Sequence, residues 1–76
     1  MKLNKGEIAT LDNDKEYICV ATLTDNGKDY VFLMSNFKPL EIRFAIQTLN
    51  ANNELELEIV NDESEKRHIL ELLQKN

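Results

Sequence analysis

Across residues 40–60 apolar and polar positions alternate almost without interruption. Strand side chains point to opposite faces with period two, so this stretch predicts two strands joined by a polar turn at residues 50–53. Ile42, Phe44 and Ile46 fall on one face, and Arg43, Ala45 and Gln47 on the other. Beyond the turn, Leu55, Leu57 and Ile59 alternate with Glu54, Glu56 and Glu58. If one face alone is buried, the register follows. Leu49 lies opposite Glu54, Ile46 opposite Leu57 and Phe44 opposite Ile59, because a slip of one residue would set Ile46 against Glu58.

Upstream, residues 1–5 read as a loose terminus and residues 7–11 as a short strand suited to a sheet edge. A polar turn at residues 12–15 leads into residues 16–24, a strand rich in β-branched and aromatic side chains. Asn26-Gly27 is a strong hairpin signal, since both central residues of a type I′ turn take positive φ, and residues 29–34 return antiparallel. This turn sets Leu23 opposite Tyr30, Ala21 opposite Phe32 and Cys19 opposite Met34. Thr22 with Val31, and Val20 with Leu33, share the other side. The first hairpin is thus apolar on both faces, which places it mid-sheet or under a cover on its second face. Pro39, lacking an N–H, marks the start of the next strand.

After the last strand, Asn61 or Asp62 caps a helix, with Glu65 three residues beyond Asp62 in capping-box spacing. Glu63 and Glu65 in the first turn and Lys75 in the last suit the helix dipole. Ile69, Leu72 and Leu73 form an i, i+3, i+4 stripe with Leu70 at its margin. The predicted fold is one α+β domain spanning residues 1–76. It is an antiparallel meander of five strands with one C-terminal helix packed on one face, β-β-β-β-β-α. Phe44, Ile46, Leu57, Ile59, Ile69, Leu72 and Leu73 are its expected common core.

Composition narrows the function classes. A chain of 76 residues buries only about 60% of its unfolded surface, so the core is thin. With 42% apolar and 30% charged residues the composition is that of a folded soluble domain. No apolar run is long enough to span a membrane. The single Cys19 excludes an intrachain disulfide and fits a reducing cytoplasm. The net charge is −5, and all of the excess lies in residues 54–65, which carry Glu54, Glu56, Glu58, Asp62, Glu63 and Glu65 and no base. Direct nucleic-acid binding, which needs clustered Lys and Arg, is therefore not expected. The strip reads as a solvated acidic face, or as a decoy for the basic site of a nucleic-acid-binding partner.

Candidate chemistry is sparse. His68, the one histidine, has no second ligand at helical spacing. Cys19 sits among apolar neighbours that disfavour a thiolate. The carboxylates of Glu54, Glu56 and Glu58 stand about 7 Å apart along a strand face, without the cleft that general acid–base work requires. Gly6 and Gly27 form no phosphate loop. The expectation is a non-enzyme with no catalytic residue, metal site or cofactor. Tyr17, Tyr30, Phe32 and Met34 fall on one face of the first hairpin, and its other face is apolar too. A single helix does not cover both, so these four residues are candidates for partner binding or self-association as well as for core.

The runs GKDYVFLM, LEIRFAIQ and ELELEIVNDESEKRHILELL resemble the YrzB-like family of small acidic uncharacterised bacterial proteins, over residues 16–75. The chain departs from that pattern in carrying Ser35-Asn36-Phe37-Lys38-Pro39 in place of an acidic run, and in having no tryptophan early in the helix. The resemblance implies a bacterial protein of the same fold and supplies no activity. The expected function is a non-catalytic protein-interaction module; the alternative is the acidic decoy.

Overall fold

A computed structural model describes residues 2–75 of the chain. Five strands, β1 (Ile8–Thr10), β2 (Glu16–Asp25), β3 (Lys28–Ser35), β4 (Ile42–Leu49) and β5 (Leu55–Ile59), form one antiparallel sheet in sequence order. One helix, α1 (Glu63–Gln74), follows. The meander with a C-terminal helix is the architecture that the alternation predicts. Asn26 and Gly27 take φ of 56° and 79°, the left-handed pair that a tight hairpin turn demands.

Two registers differ from expectation. In the first hairpin Leu23, Thr22 and Ala21 lie opposite Tyr30, Val31 and Phe32 as the turn dictates, but a β-bulge then intervenes between Cys19 and Ala21. Past it Cys19 faces Leu33, not Met34, and Ile18 faces Met34. One extra residue inverts the parity of the strand and bends it, so the N-terminal half of β2 presents the opposite set of side chains. In the second hairpin Leu49 pairs with Leu55, Gln47 with Leu57, Ala45 with Ile59, and Ile46 with Glu58. This is the one-residue slip that one-sided burial would forbid. Its local cause is a three-residue loop. Asn50 N–H donates to Glu54 O (3.0 Å), Asn53 sits at φ 61°, and Asn50 Oδ1 accepts from the N–H groups of Asn52 and Glu54 (2.9 and 3.0 Å).

The slip is tolerated because both faces of the sheet are buried. On one face Tyr30, Phe44, Val60 and Ile69 form a core with Leu23, Phe32, Ile46 and Leu73 under the helix. On the other, Tyr17, Cys19, Val31, Leu33 and Ala45 pack with Leu3, Ala9, Leu55, Leu57 and Ile59, with no helix above them. The expected single core is therefore two. Leu57 and Ile59 belong to the helix-free side, and of the seven expected core residues only Phe44 and Ile69 are fully buried.

The N-terminal segment lies across this helix-free face. Leu3 N–H donates to Gln47 Oε1 (2.7 Å), and Gln47 Nε2 donates to Leu3 O (3.2 Å). Leu3 precedes β1 by five residues, enough chain to cross the three strand spacings, about 14 Å in a flat sheet, to Gln47. The curl of the sheet itself shows in β1 and β5 lining one cleft. Residues 2–3 are accordingly tied down: Leu3 is buried, and Lys2 pairs with Asp29. They are not the loose end that the sequence suggests.

Asp62 is the helix N-cap, accepting from Ser64 N–H (3.3 Å). Glu65 turns to the sheet, where it accepts the Tyr30 hydroxyl (3.2 Å) and meets Lys28 (3.8 Å). His68 Nε2 lies 3.0 Å from Asp25 Oδ2. These contacts seat the helix toward the Asn26-Gly27 end of the sheet. Lys75 lies at the C-cap, past the last turn.

Candidate interaction surfaces

Tyr17, Tyr30, Phe32 and Met34, expected on one face as core or as a partner-binding surface, do not share a face. The bulge turns Tyr17 into the helix-free core, while Tyr30, Phe32 and Met34 stay on the helix side. Tyr17 and Tyr30 are both buried. Tyr17 packs edge-on against Phe37 at 5.6 Å between ring centroids, and its hydroxyl donates to Glu41 Oε1 (2.8 Å). Glu41 is itself paired with Arg43 (3.2 Å). Burial, and after it the Glu65 hydrogen bond, push the Tyr30 hydroxyl above its ordinary pKa. Both tyrosines hold the fold together, and of the four only Phe32 and Met34 retain partly exposed surface.

The exposed apolar surface lies instead one row further along the same face. Ile8 pairs with Ile18, Ile18 with Met34, and Met34 with Ile42. Residues in register on adjacent strands project to the same side, so these four side chains form a continuous row across β1 to β4. The helix covers the rows through Tyr30 and Phe44 and stops short of this one. Ile8 is 56% exposed and Ile42 44%, with Leu40 at 60% just before β4. Sequence reading did not single out this row, because the bulge decides that Ile18 joins Met34. The signal within reach was Ile8 and Ile42, branched apolar residues on short or terminal strand segments.

Glu54, Glu56, Glu58, Asp62 and Glu63 are all exposed, whereas Glu65 is half-buried in its contacts with Tyr30 and Lys28. Glu56 and Glu58 lie opposite Thr48 and Ile46, on the helix-bearing side of β5, at the sheet's edge. Because the sheet curls, the edge strands β1 and β5 approach each other and line a single cleft of about 1010 Å³. Leu3, Leu11, Leu55, Leu57 and Ile59 form its floor, with Glu56 and Glu58 on its rim.

Cys19 is buried, and its thiol is pushed above the ordinary value by desolvation. His68 is half-exposed on the helix surface. Among the described residues no group of His, Cys, Asp and Glu side chains converges as a metal site would require, and no helix is long and apolar enough to cross a membrane. Comparison with protein-family models, curated proteins and solved structures finds no match to this chain.

Proposed function

We propose that this protein is a non-catalytic interaction module whose docking surface is the apolar row Ile8, Ile18, Met34 and Ile42, with Phe32 behind it. The observation carrying this reading is that one helix serves a sheet apolar on both faces. It leaves Ile8 and Ile42 exposed at the ends of that row, with Ile18 and Met34 half-buried between them. Exposed apolar patches of several hundred Å² mark interaction sites more often than chance surface. A complementary apolar face on another protein, or on a second copy, would bury the row. The test is parallel affinity capture from the native cell, with the unaltered chain and an Ile8→Glu/Ile42→Glu variant as baits. Both positions are exposed, so the fold should survive, and circular dichroism checks that it does. Loss of specific binders, or of self-association in sedimentation, is the expected outcome. Identical captures would refute the role of the row.

The second reading, an acidic decoy for a basic protein site, is supported by the exposure of Glu54, Glu56, Glu58, Asp62 and Glu63 along one border of the molecule. Exposed charges are screened within about 8 Å at physiological salt, and complementarity acts mainly on association rate. Changing Glu54, Glu56 and Glu58 to Gln should then slow association with a captured basic partner and leave the fold intact. Binding indifferent to salt and to this substitution leaves the acids as a solvated face.

A further inference from the structure

In an antiparallel meander each step reverses the chain direction, so after four steps β5 runs the same way as β1. The two edges of the trough therefore face each other in parallel, and each is paired only with its own neighbour. Antiparallel ladders bond through alternate residues. On β5, Val60 N–H donates to Phe44 O (2.8 Å) and Asn50 N–H to Glu54 O (3.0 Å). Leu55, Leu57 and Ile59 consequently direct their backbone groups away from β4 and into the cleft. On β1, Cys19 N–H donates to Glu7 O (2.8 Å) and Leu11 N–H to Lys15 O (3.0 Å), which leaves the backbones of Ile8 and Thr10 directed outward. This pairing gives those five residues no backbone partner among the described residues.

We propose that the cleft between β1 and β5 accepts an extended segment of a partner protein as a sixth strand, with alternating apolar and basic side chains. One strand running antiparallel to both edges satisfies both, where direct closure of five strands would need a parallel ladder. Strand addition of this kind draws affinity from main-chain hydrogen bonds and specificity from alternate side chains. Inward side chains of the guest meet Leu3, Leu11, Leu55, Leu57 and Ile59. Outward ones fall beside Glu56 and Glu58, within the 4.5–5.5 Å at which cross-strand pairs interact. Those carboxylates select for lysine or arginine and repel an acidic strand, including another copy of β5. The cleft shares only Ile8 with the apolar row, through its open backbone edge, and Ile18, Met34 and Ile42 lie outside it.

The test uses the full chain and three fluorescein-labelled synthetic peptides. One alternates lysine and valine over seven residues, one is its block isomer with the lysines together, and one is the alternating peptide N-methylated at every second residue. The alternating peptide should bind about tenfold tighter than either control, since only it combines both ladders with the right sidedness. Glu56→Gln/Glu58→Gln should weaken it roughly fivefold at low salt, and Ile42→Glu should leave it unchanged. Hydrogen exchange should slow at the amides of Leu55, Leu57, Ile59, Ile8 and Thr10. Equal binding of the alternating and block peptides would overturn the proposal, as would unprotected edge amides. Protection of the same amides by protein concentration alone would overturn it in favour of a second copy.

Discussion

Replacing Gln47 by Ala should detach the N-terminus from the trough. Gln47 is 5% exposed and holds Leu3 through both its amide oxygen and its amide nitrogen. Two such bonds contribute about 1–3 kcal/mol net. Their loss leaves Leu3 with two choices. Its backbone groups can stay buried without partners, at about 1–3 kcal/mol each, or the segment can peel away, forfeiting about 1.5–3 kcal/mol of Leu3 side-chain burial. Either course totals about 2–6 kcal/mol, a large share of the roughly 4–11 kcal/mol expected for a domain of this length. Urea unfolding reads this as a lower midpoint at an unchanged slope. Combining Gln47→Ala with Leu3→Ala should cost less than the sum of the two, because both remove the same docking. A loss below about 0.5 kcal/mol, with the Leu3 amide still protected from exchange, would refute the view that Gln47 fastens the curl.

Three further outcomes follow from the same geometry. Leu33→Ala, at a fully buried position in the helix-free core, should cost about 2–5 kcal/mol in denaturant melts. Asn26→Val should destabilise the first hairpin by about 1–2 kcal/mol, because a β-branched residue resists the φ of 56° held there; Asn26→Gly should be close to neutral. The hydrogen bond from Lys2, and after it that from Thr24, hold the Asp29 carboxyl below its ordinary pKa. Its contribution to stability is therefore complete above the unfolded value near 3.8 and is lost as pH falls through the lower folded value. A stability–pH profile of Asp29→Asn should lack that acid-side component, and added salt should shrink it in the unaltered chain.

Element types and order were legible in the sequence because they rest on local chemistry. Asn26-Gly27 carries its own turn, Asp62 its own cap, and period two is visible in β4 and β5. Facing was not legible, because it depends on single-residue insertions that composition does not mark. The bulge beside Val20 sends Tyr17 and Cys19 inward, and the three-residue loop after Asn50 does the same for Leu57 and Ile59. Each reverses the sidedness of half a hairpin. The shared face of Tyr17 with Tyr30, Phe32 and Met34 failed on the first of these, and the single core on the second.

Both irregularities act in one direction. Had β2 and β5 kept the simple parity, Tyr17, Leu57 and Ile59 would all have crowded onto the helix side, with more apolar surface than twelve helical residues cover. Shifting them across fills the opposite face, which the N-terminal segment and the curl of the sheet cover between them. The bulge supplies bend at β2, and Gln47, polar in sequence yet buried in the fold, fastens the incoming N-terminus to β4. Rolling brings β1 to β5, but an odd number of antiparallel strands leaves the two edges running the same way. The trough therefore stops short of closing, with a hydrophobic floor, two rows of open backbone and a glutamate rim. Gln47→Ala tests the roll and the alternating peptide tests the gap. A chain in which Gln47→Ala abolishes peptide binding while Leu33 stays buried would tie the cleft directly to the curl.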